Sequence, residues 1–346
     1  MNHKKQPYTT GKPKLETKID ELLKLADVHA DYDKIREMIV TVLKFNEDEP
    51  HPADIFLLNR AFKEMRYANR VFQPYRGVKK VCIFGSARTQ PDEAAYKTAH
   101  AFGHMMMESG YMVITGGGDG IMGAAQSGAG RDRSFALNIR LPFEQKANNT
   151  IAGDSKLINF HYFFTRKLNF AKNSDAVALF PGGFGTMDEG FEIITLLQTG
   201  KMPLIPILMV DAPKGNFWRT FEHYLREHLL GDGMISESDF NLFKITDDLV
   251  AAQKEILNFY YNFHSYRYVG DELVIRTQRE IPPAALKRLV DDFSDILEDK
   301  DSLRVCSFLP EEINEPEIAH LPRLCLKFDR KSNGRLRQLI DRINQF

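Results

Sequence analysis

The sequence predicts an α/β protein built on a doubly wound, Rossmann-like parallel sheet, and three observations carry that prediction. From Lys79 onward, short β-rich apolar runs alternate with stretches of helical period, the pattern of a parallel sheet covered on both faces. Three of these runs, ending at Phe84, Thr115 and Phe180, pass directly into glycine or small polar residues, and in such sheets ligands sit outside the carboxyl ends of the strands. With 346 residues, 43% hydrophobic and 27% charged, the chain has the length of about two domains and can bury a core that needs neither disulfide nor metal.

Taken in order, residues 1–14 read as a loose tail rich in Lys, Thr, Gly and Pro, without the apolar stretch of a signal peptide. Ile19, Leu22, Leu23 and Ala26 form one helical stripe, and Ile35, Met38, Ile39, Val42 and Leu43 form a second, with Asp31 placed to cap it. A third helix runs from Pro52, a first-turn proline, to about Phe72. The expected strands are Val81–Phe84, Tyr111–Thr115, Phe135–Ile139, Leu157–Phe160, Ala176–Phe180 and Leu204–Val210, with helices near 92–109, 120–129, 163–173, 187–199, 214–230 and 246–263. After these, 266–277 reads as a strand or hairpin, 282–298 as helix, 323–328 as strand and 333–345 as helix. The expected division is a helical N-terminal extension (1–76), a nucleotide-binding catalytic domain (77–263) and a small α+β C-terminal domain (264–346). The flanking apolar stripes need a burial partner, and a homodimer or larger homo-oligomer supplies one.

Composition excludes several function classes. Lys and Arg number 46 against 47 Asp and Glu, so no global field draws in nucleic acid or anionic lipid. The longest strongly apolar run, Pro203 to Val210, is far short of the ~20 residues that span a bilayer. Cys82, Cys306 and Cys325 are odd in number and lack CxxC spacing, which predicts neither a disulfide framework nor a zinc site and fits a reducing cytoplasm. His100 and His104 are four apart, but HAFGH has no Glu after the first His and no third ligand, so no metal is expected.

The chemistry concentrates in four segments. Gly85-Ser86, Gly116-Gly117-Gly118 and Pro181-Gly182-Gly183-Phe184-Gly185-Thr186 follow three strand ends and are expected to converge on one ligand. Glycines let backbone N–H groups approach an anion, a following helix N-terminus adds partial positive charge, and Thr186 adds a hydroxyl. Tight strand-to-helix turns need glycine in any case, so the weight lies in three such loops in register. Gly118, Gly120 and Gly123 satisfy GxGxxG, yet they follow the second strand of the domain, and the third strand ends near Asn138–Arg140 without an acidic residue for a ribose hydroxyl, which argues against a dinucleotide. Asp188, Glu189 and Glu192 open the helix after the third loop, where the dipole alone would favour them; beside a phosphate they are also placed to face a sugar and offset positive charge at its anomeric carbon. The fourth segment, Arg166-Lys167, puts two cations at a helix start, against the dipole, and so suggests a nearby anion.

An Arg-Lys pair followed, after a strand, by PGGFGTMDE resembles the LONELY GUY (LOG) family, whose members carry PGGxGTxxE and often the misleading label lysine decarboxylase. The triple glycine at 116–118 and Gly85-Ser86 also match, and the resemblance covers about residues 79–260. It implies a phosphoribohydrolase, cleaving a nucleoside 5′-monophosphate to free base and ribose 5-phosphate without a cofactor. The substrate would be a cytokinin riboside monophosphate or, as in larger bacterial members with flanking domains, an ordinary purine or pyrimidine nucleotide. Arg166 and Glu189 would be the catalytic pair. Lys167 and the Gly182–Asp188 loop would surround the nucleotide, with Thr195 further along the helix near it. At least a dimer is implied, with the helix after the PGG loop near its interface. Pyridoxal chemistry lacks an assignable Schiff-base lysine. The rival reading is a non-catalytic nucleotide sensor, which would need the glycines and Thr186 but not the carboxylate.

Overall fold

The computed structural model describes residues 8–141 and 146–346; the first seven residues of the expected tail lie outside them. Contacts divide the chain into two compact units, Met1–Arg66 and Tyr67–Phe346. In the first, α1 (Pro13–Leu25) and α2 (Tyr32–Glu47) pack through Ile19, Leu23 and Val40, while Arg36 ties down Glu16 and Asp20. Leu22, Met38 and Val42 of the expected stripes stand exposed. Asp31 occupies the N-cap position of α2 but makes no side-chain capping bond. Its φ of 53° is left-handed, whereas an oxygen that caps needs extended backbone beneath it. A third helix, α3 (Pro52–Phe72), follows as its apolar period and leading proline predict.

The second unit holds the predicted doubly wound sheet. In chain order it comprises β1 (Lys80–Phe84), α4 (Ala94–Glu108), β2 (Met112–Thr115), α5 (Ile121–Ala129), β3 (Ser134–Ile139), β4 (Leu157–Phe160), α6 (Phe163–Asn173), β5 (Ala176–Leu179), α7 (Phe184–Gln198), β6 (Ile207–Val210), α8 (Phe217–Tyr224), β7 (Phe243–Thr246) and α9 (Leu249–Phe259). The strands lie parallel in the order β4-β3-β2-β1-β5-β6-β7. Winding proceeds outward from β1 to β4 and then restarts at β5 on the other side, so the loops after β1 and β5 flank the switch point where such sheets hold ligands. Along β1 the pleat sends Cys82 and Phe84 to one core, shared with Phe170, Ile193 and Leu197, and Val81 and Ile83 to another, shared with Phe102, Ala125 and Ile256.

Four boundaries correct the sequence reading. The seventh strand, β7, was not expected: it is a short edge strand with exposed Lys244 breaking its apolar pattern. The run from Leu204 joins the ladder only at Ile207, because Pro203 and Pro206 have no N–H to donate. Helix α7 begins at Phe184 rather than 187. The expected helix 214–230 is α8 followed by a π-helical turn, Leu225–Leu230.

Helices α4 and α5 touch backbone to backbone. A Cβ on Gly103 would lie 2.2 Å from the Ala125 carbonyl oxygen, and one on Gly128 would lie 2.0 Å from that of His100. Gly103 sits within the HAFGH pattern whose histidines drew attention. His104 pairs instead with Glu108 at 3.4 Å on an exposed surface, and no metal-ligand cluster occurs among the described residues.

The C-terminal part forms an antiparallel sheet, β10-β11-β9-β8, from β8 (Phe263–Val269), β9 (Glu272–Thr277), β10 (Arg304–Cys306) and β11 (Arg323–Leu326), together with α10 (Pro283–Asp292) and α11 (Asn333–Ile343). Leu336, Leu339, Ile340 and Ile343 of α11 join the same core as β1 and α7, and the Asn344 side chain accepts the N–H groups of Asn262 and Phe263, each at 2.8 Å. Fully buried Glu312 is held by Arg276 and, at 2.8 Å, by Arg323. The expectation of no disulfide is overturned. Cys306 and Cys325 are bonded, with Cα atoms 6.0 Å apart, because antiparallel pairing makes them diagonal neighbours on β10 and β11. Residue spacing cannot reveal a pair made by strand register. No helix among the described residues is long and apolar enough to cross a membrane.

Candidate functional site

The three glycine-bearing turns are joined by backbone hydrogen bonds at the carboxyl ends of their strands. The Ser86 N–H donates to the Pro181 carbonyl at 3.1 Å, and the Ile121 N–H donates to the Ser86 carbonyl at 3.0 Å. Gly120 has φ +63°, and a Cβ there would stand 2.3 Å from the Ser86 carbonyl oxygen, so only glycine lets the first and second turns meet. Within the second turn Gly116, Gly117 and Gly118 are buried. The Gly117 N–H donates to Thr115 Oγ1 at 2.9 Å. Asn148 Nδ2 donates to the Gly117 and Gly118 carbonyls at 3.1 and 2.9 Å and to Gln126 Oε1 at 2.7 Å. Sequence reasoning missed Asn148, which lies in a stretch with no periodicity, and the only sign of it would have been a helix-breaking Asn-Asn pair.

The third turn is itself a helix start. Gly183 is the N-cap of α7, so Phe184 and Gly185 belong to its first turn, where N–H groups have no intrahelical acceptor and the dipole end is positive. A Cβ on Gly183 or Gly185 would meet nothing within 4 Å: both turn a bare backbone to open space. Gly182 differs, since its Cβ would lie 2.2 Å from Thr186 Oγ1 and 3.0 Å from the Ser86 nitrogen. The Thr186 side chain is tucked beneath the turn and buried.

Arg166, from the first turns of α6, and Glu189, from the second turn of α7, face each other with Nη2 and Oε1 3.9 Å apart. This is an ion pair too long to be a hydrogen bond. A Cβ on Gly116 would come within 3.3 Å of Arg166 Nη2, so the second turn's lack of side chains is what admits the guanidinium. Arg166 Nε is buried without a hydrogen-bond partner among the described residues. Glu189 is 4% exposed. Burial raises its pKa to about 7, against the lowering pull of Arg166 and Lys167. Burial lowers the Arg166 pKa, opposed chiefly by the Glu189 charge. Behind them burial drives the Cys82 thiol well above its ordinary pKa, leaving it an inert core group. The arrangement is a half-satisfied buried acid and cation beside a helix N-terminus, able to offer a carboxylate to water and positive charge to an anion.

The other expected residues are distributed around this pair. Lys167 Nζ binds Asp188 at 2.8 Å and Glu192 at 2.9 Å, so the anion suggested by a lysine at a helix start is supplied by the neighbouring helix. Thr195 lies on the exposed face of α7, two turns beyond Asp188. His161 has its Nε2 3.5 Å from Arg140 Nη1. Phe184 is 96% exposed, and Phe163, Phe164, Leu168 and Phe191 also face outward, whereas Met187 packs on the core.

Residues 122–256 match the family model described as possible lysine decarboxylase. A probable cytokinin riboside 5′-monophosphate phosphoribohydrolase of Oryza sativa subsp. japonica is 28% identical over 177 residues, which cover 49% of this chain and 73% of that protein. The α/β domain is similar to the LONELY GUY family. A second LOG relative, a cytokinin riboside 5′-monophosphate phosphoribohydrolase of Arabidopsis thaliana, is 27% identical over 125 residues, or 35% of this chain and 58% of its own length. Among solved structures, the molybdenum cofactor carrier protein of Chlamydomonas reinhardtii aligns with 51% of this chain and 94% of its own at 18% identity and a TM-score of 0.35. The family match over residues 122–256 takes in the PGG turn and the helix that bears Glu189, and it leaves the N-terminal helices and the C-terminal sheet unmatched.

Proposed function

We propose that this protein hydrolyses the N-glycosidic bond of a nucleoside 5′-monophosphate, releasing free base and ribose 5-phosphate. The observation that carries the reading is Glu189, a buried carboxyl with a pKa raised to about 7, facing Arg166 beside the open turn of Gly183 and Gly185. LOG relatives named as phosphoribohydrolases support the same reaction class.

In this reading the 5′-phosphate sits on the first N–H groups of α7, an anion site needing no metal. Ionised Glu189 accepts a proton from water as the water oxygen bonds to C1′. The C1′–N bond breaks, its electron pair leaves with the base, and solvent protonates the base. The sugar passes through an oxocarbenium-like state whose charge the carboxylate offsets. Arg166 favours the ionised form of Glu189 against the effect of burial and adds positive charge beside the phosphate. Lys167, Asp188 and Glu192 form the rim, with Thr195 beyond them. A second copy of the chain covering Phe163, Phe164, Leu168, Phe184 and Phe191, exposed on α6 and α7, would complete a homo-oligomer.

The test is to incubate the full chain, without added metal or cofactor, with ribo- and deoxyribonucleoside 5′-monophosphates and a cytokinin riboside monophosphate, and to detect free base by chromatography. Release from at least one substrate, reduced by a factor of about 10² or more in Glu189→Ala, is expected. Bound nucleotide without release would favour a sensor, and release unchanged in Glu189→Ala would remove the carboxylate from the mechanism.

A further inference from the structure

A second cavity, of about 890 Å³, lies at the opposite end of the sheet from the glycine turns. It is bounded by the amino ends of β1 and β5, the carboxyl ends of α6 and α7, and the start of β8. None of the residues placed in the nucleotide site reaches it. Its size is that of a small-molecule site, and its lining is divided by chemistry. Leu196, Met202, Leu204, Tyr260 and Tyr266 supply an apolar, partly aromatic wall.

Arg76, Lys79, Lys172 and Lys201 supply four cations against one carboxylate, Asp175. That carboxylate is engaged, since Asp175 Oδ2 accepts the Lys80 N–H at 2.8 Å. Lys172 and Lys201 stand near helix carboxyl ends, whose carbonyls favour them without a ligand. Arg76 caps the 3-10 turn Gln73–Tyr75 that continues α3, but Lys79, in the extended stretch before β1, has no such explanation. Lys79 lies over the Tyr260 ring, its Nζ 3.3 Å from the centroid, and Tyr260 spends its hydroxyl on the Asp175 carbonyl at 2.7 Å. An ammonium held on a ring face without a carboxylate hydrogen bond keeps its capacity for an anion.

We propose that this cavity binds a small amphiphilic organic anion, its aromatic or apolar body against Tyr260, Met202 and Tyr266 and its anionic head on Lys79 and Arg76. This inference does not depend on the hydrolase reading.

The experiment is a fluorescence titration of the full chain with 8-anilinonaphthalene-1-sulfonate, paralleled by the uncharged N-phenyl-1-naphthylamine. Saturable sulfonate binding is expected, weakened at least tenfold by Arg76→Gln with Lys79→Gln and weakened as well by Met202→Trp, which crowds the apolar wall. The uncharged dye should bind more weakly than the sulfonate and be indifferent to the charge changes. Gly183→Val and Phe184→Ser, which alter the opposite end, should leave the sulfonate affinity unchanged. The proposal is overturned if no saturable binding occurs, if Met202→Trp or the charge changes leave it intact, or if it follows Gly183→Val or Phe184→Ser instead.

Discussion

Glu189 is protonated at pH 5 and ionised at pH 9, because burial lifts its pKa to about 7. If the ionised form activates water, base release rises with pH through about 7 and levels above it. Arg166 pulls that pKa down, so Arg166→Ala should move the rise to higher pH as well as slow the reaction, and a pH–rate profile of the variant checks both. An unmoved midpoint would show that the two groups do not communicate. The glycines of the third turn divide by what surrounds them. Gly183→Val places its branches in open space and should raise the Kd of nucleoside monophosphates well beyond that of free nucleosides, leaving stability nearly intact. Gly182→Ala drives a methyl into Thr186 and the Ser86 backbone and should lower stability too. Calorimetric titration with AMP and adenosine, plus thermal melts, separates these outcomes. That Arg166 and Glu189 come together beside the PGG turn was expected from the resemblance to the LOG family, whose motif sets residue type and spacing. Asn148 was not, because its role is to hold the carbonyls of a turn thirty residues away, a tertiary relation that leaves no local pattern.

At the scale of elements, β1, β2 and β5 are buried along their whole length and legible almost to the residue as apolar runs that lead into glycine or polar residues. Edge strand β7 escaped because only Thr246 of its four residues is buried and exposed Lys244 interrupts them. The start of α7 was placed late because Gly185 reads as loop when it is the second residue of a helix. The α4–α5 contact escaped for a related reason: HAFGH invites a search for metal ligands, while its glycine serves close packing. Gly128→Ala should force the two helices apart and cost roughly 1–3 kcal/mol, measurable as a lower urea midpoint. Because α5 begins at the turn that meets Ser86, nucleotide affinity should fall with it.

For the whole molecule, the sequence conveyed that a parallel sheet is flanked by other material, but not how closely the C-terminal part is joined to it. Segments far apart in sequence share one core there, through α11 and the Asn344 side chain, and the 3.6-residue period that marks a helix does not say which element it packs on. The cysteines make the same point, and thiol counting checks it. Unreduced, denatured protein should alkylate at Cys82 alone, and reduced protein at all three cysteines. A single alkylated site fits an oxidising history, and three in the unreduced sample would leave β10 and β11 joined by hydrogen bonds only. The bridge also spans a surface stretch in which Glu311, Ile313 and Glu317 lie exposed. A protease that cuts there would leave no trace on a non-reducing gel, because both fragments stay linked across the break. The same sample, once reduced, would release the chain end that carries α11.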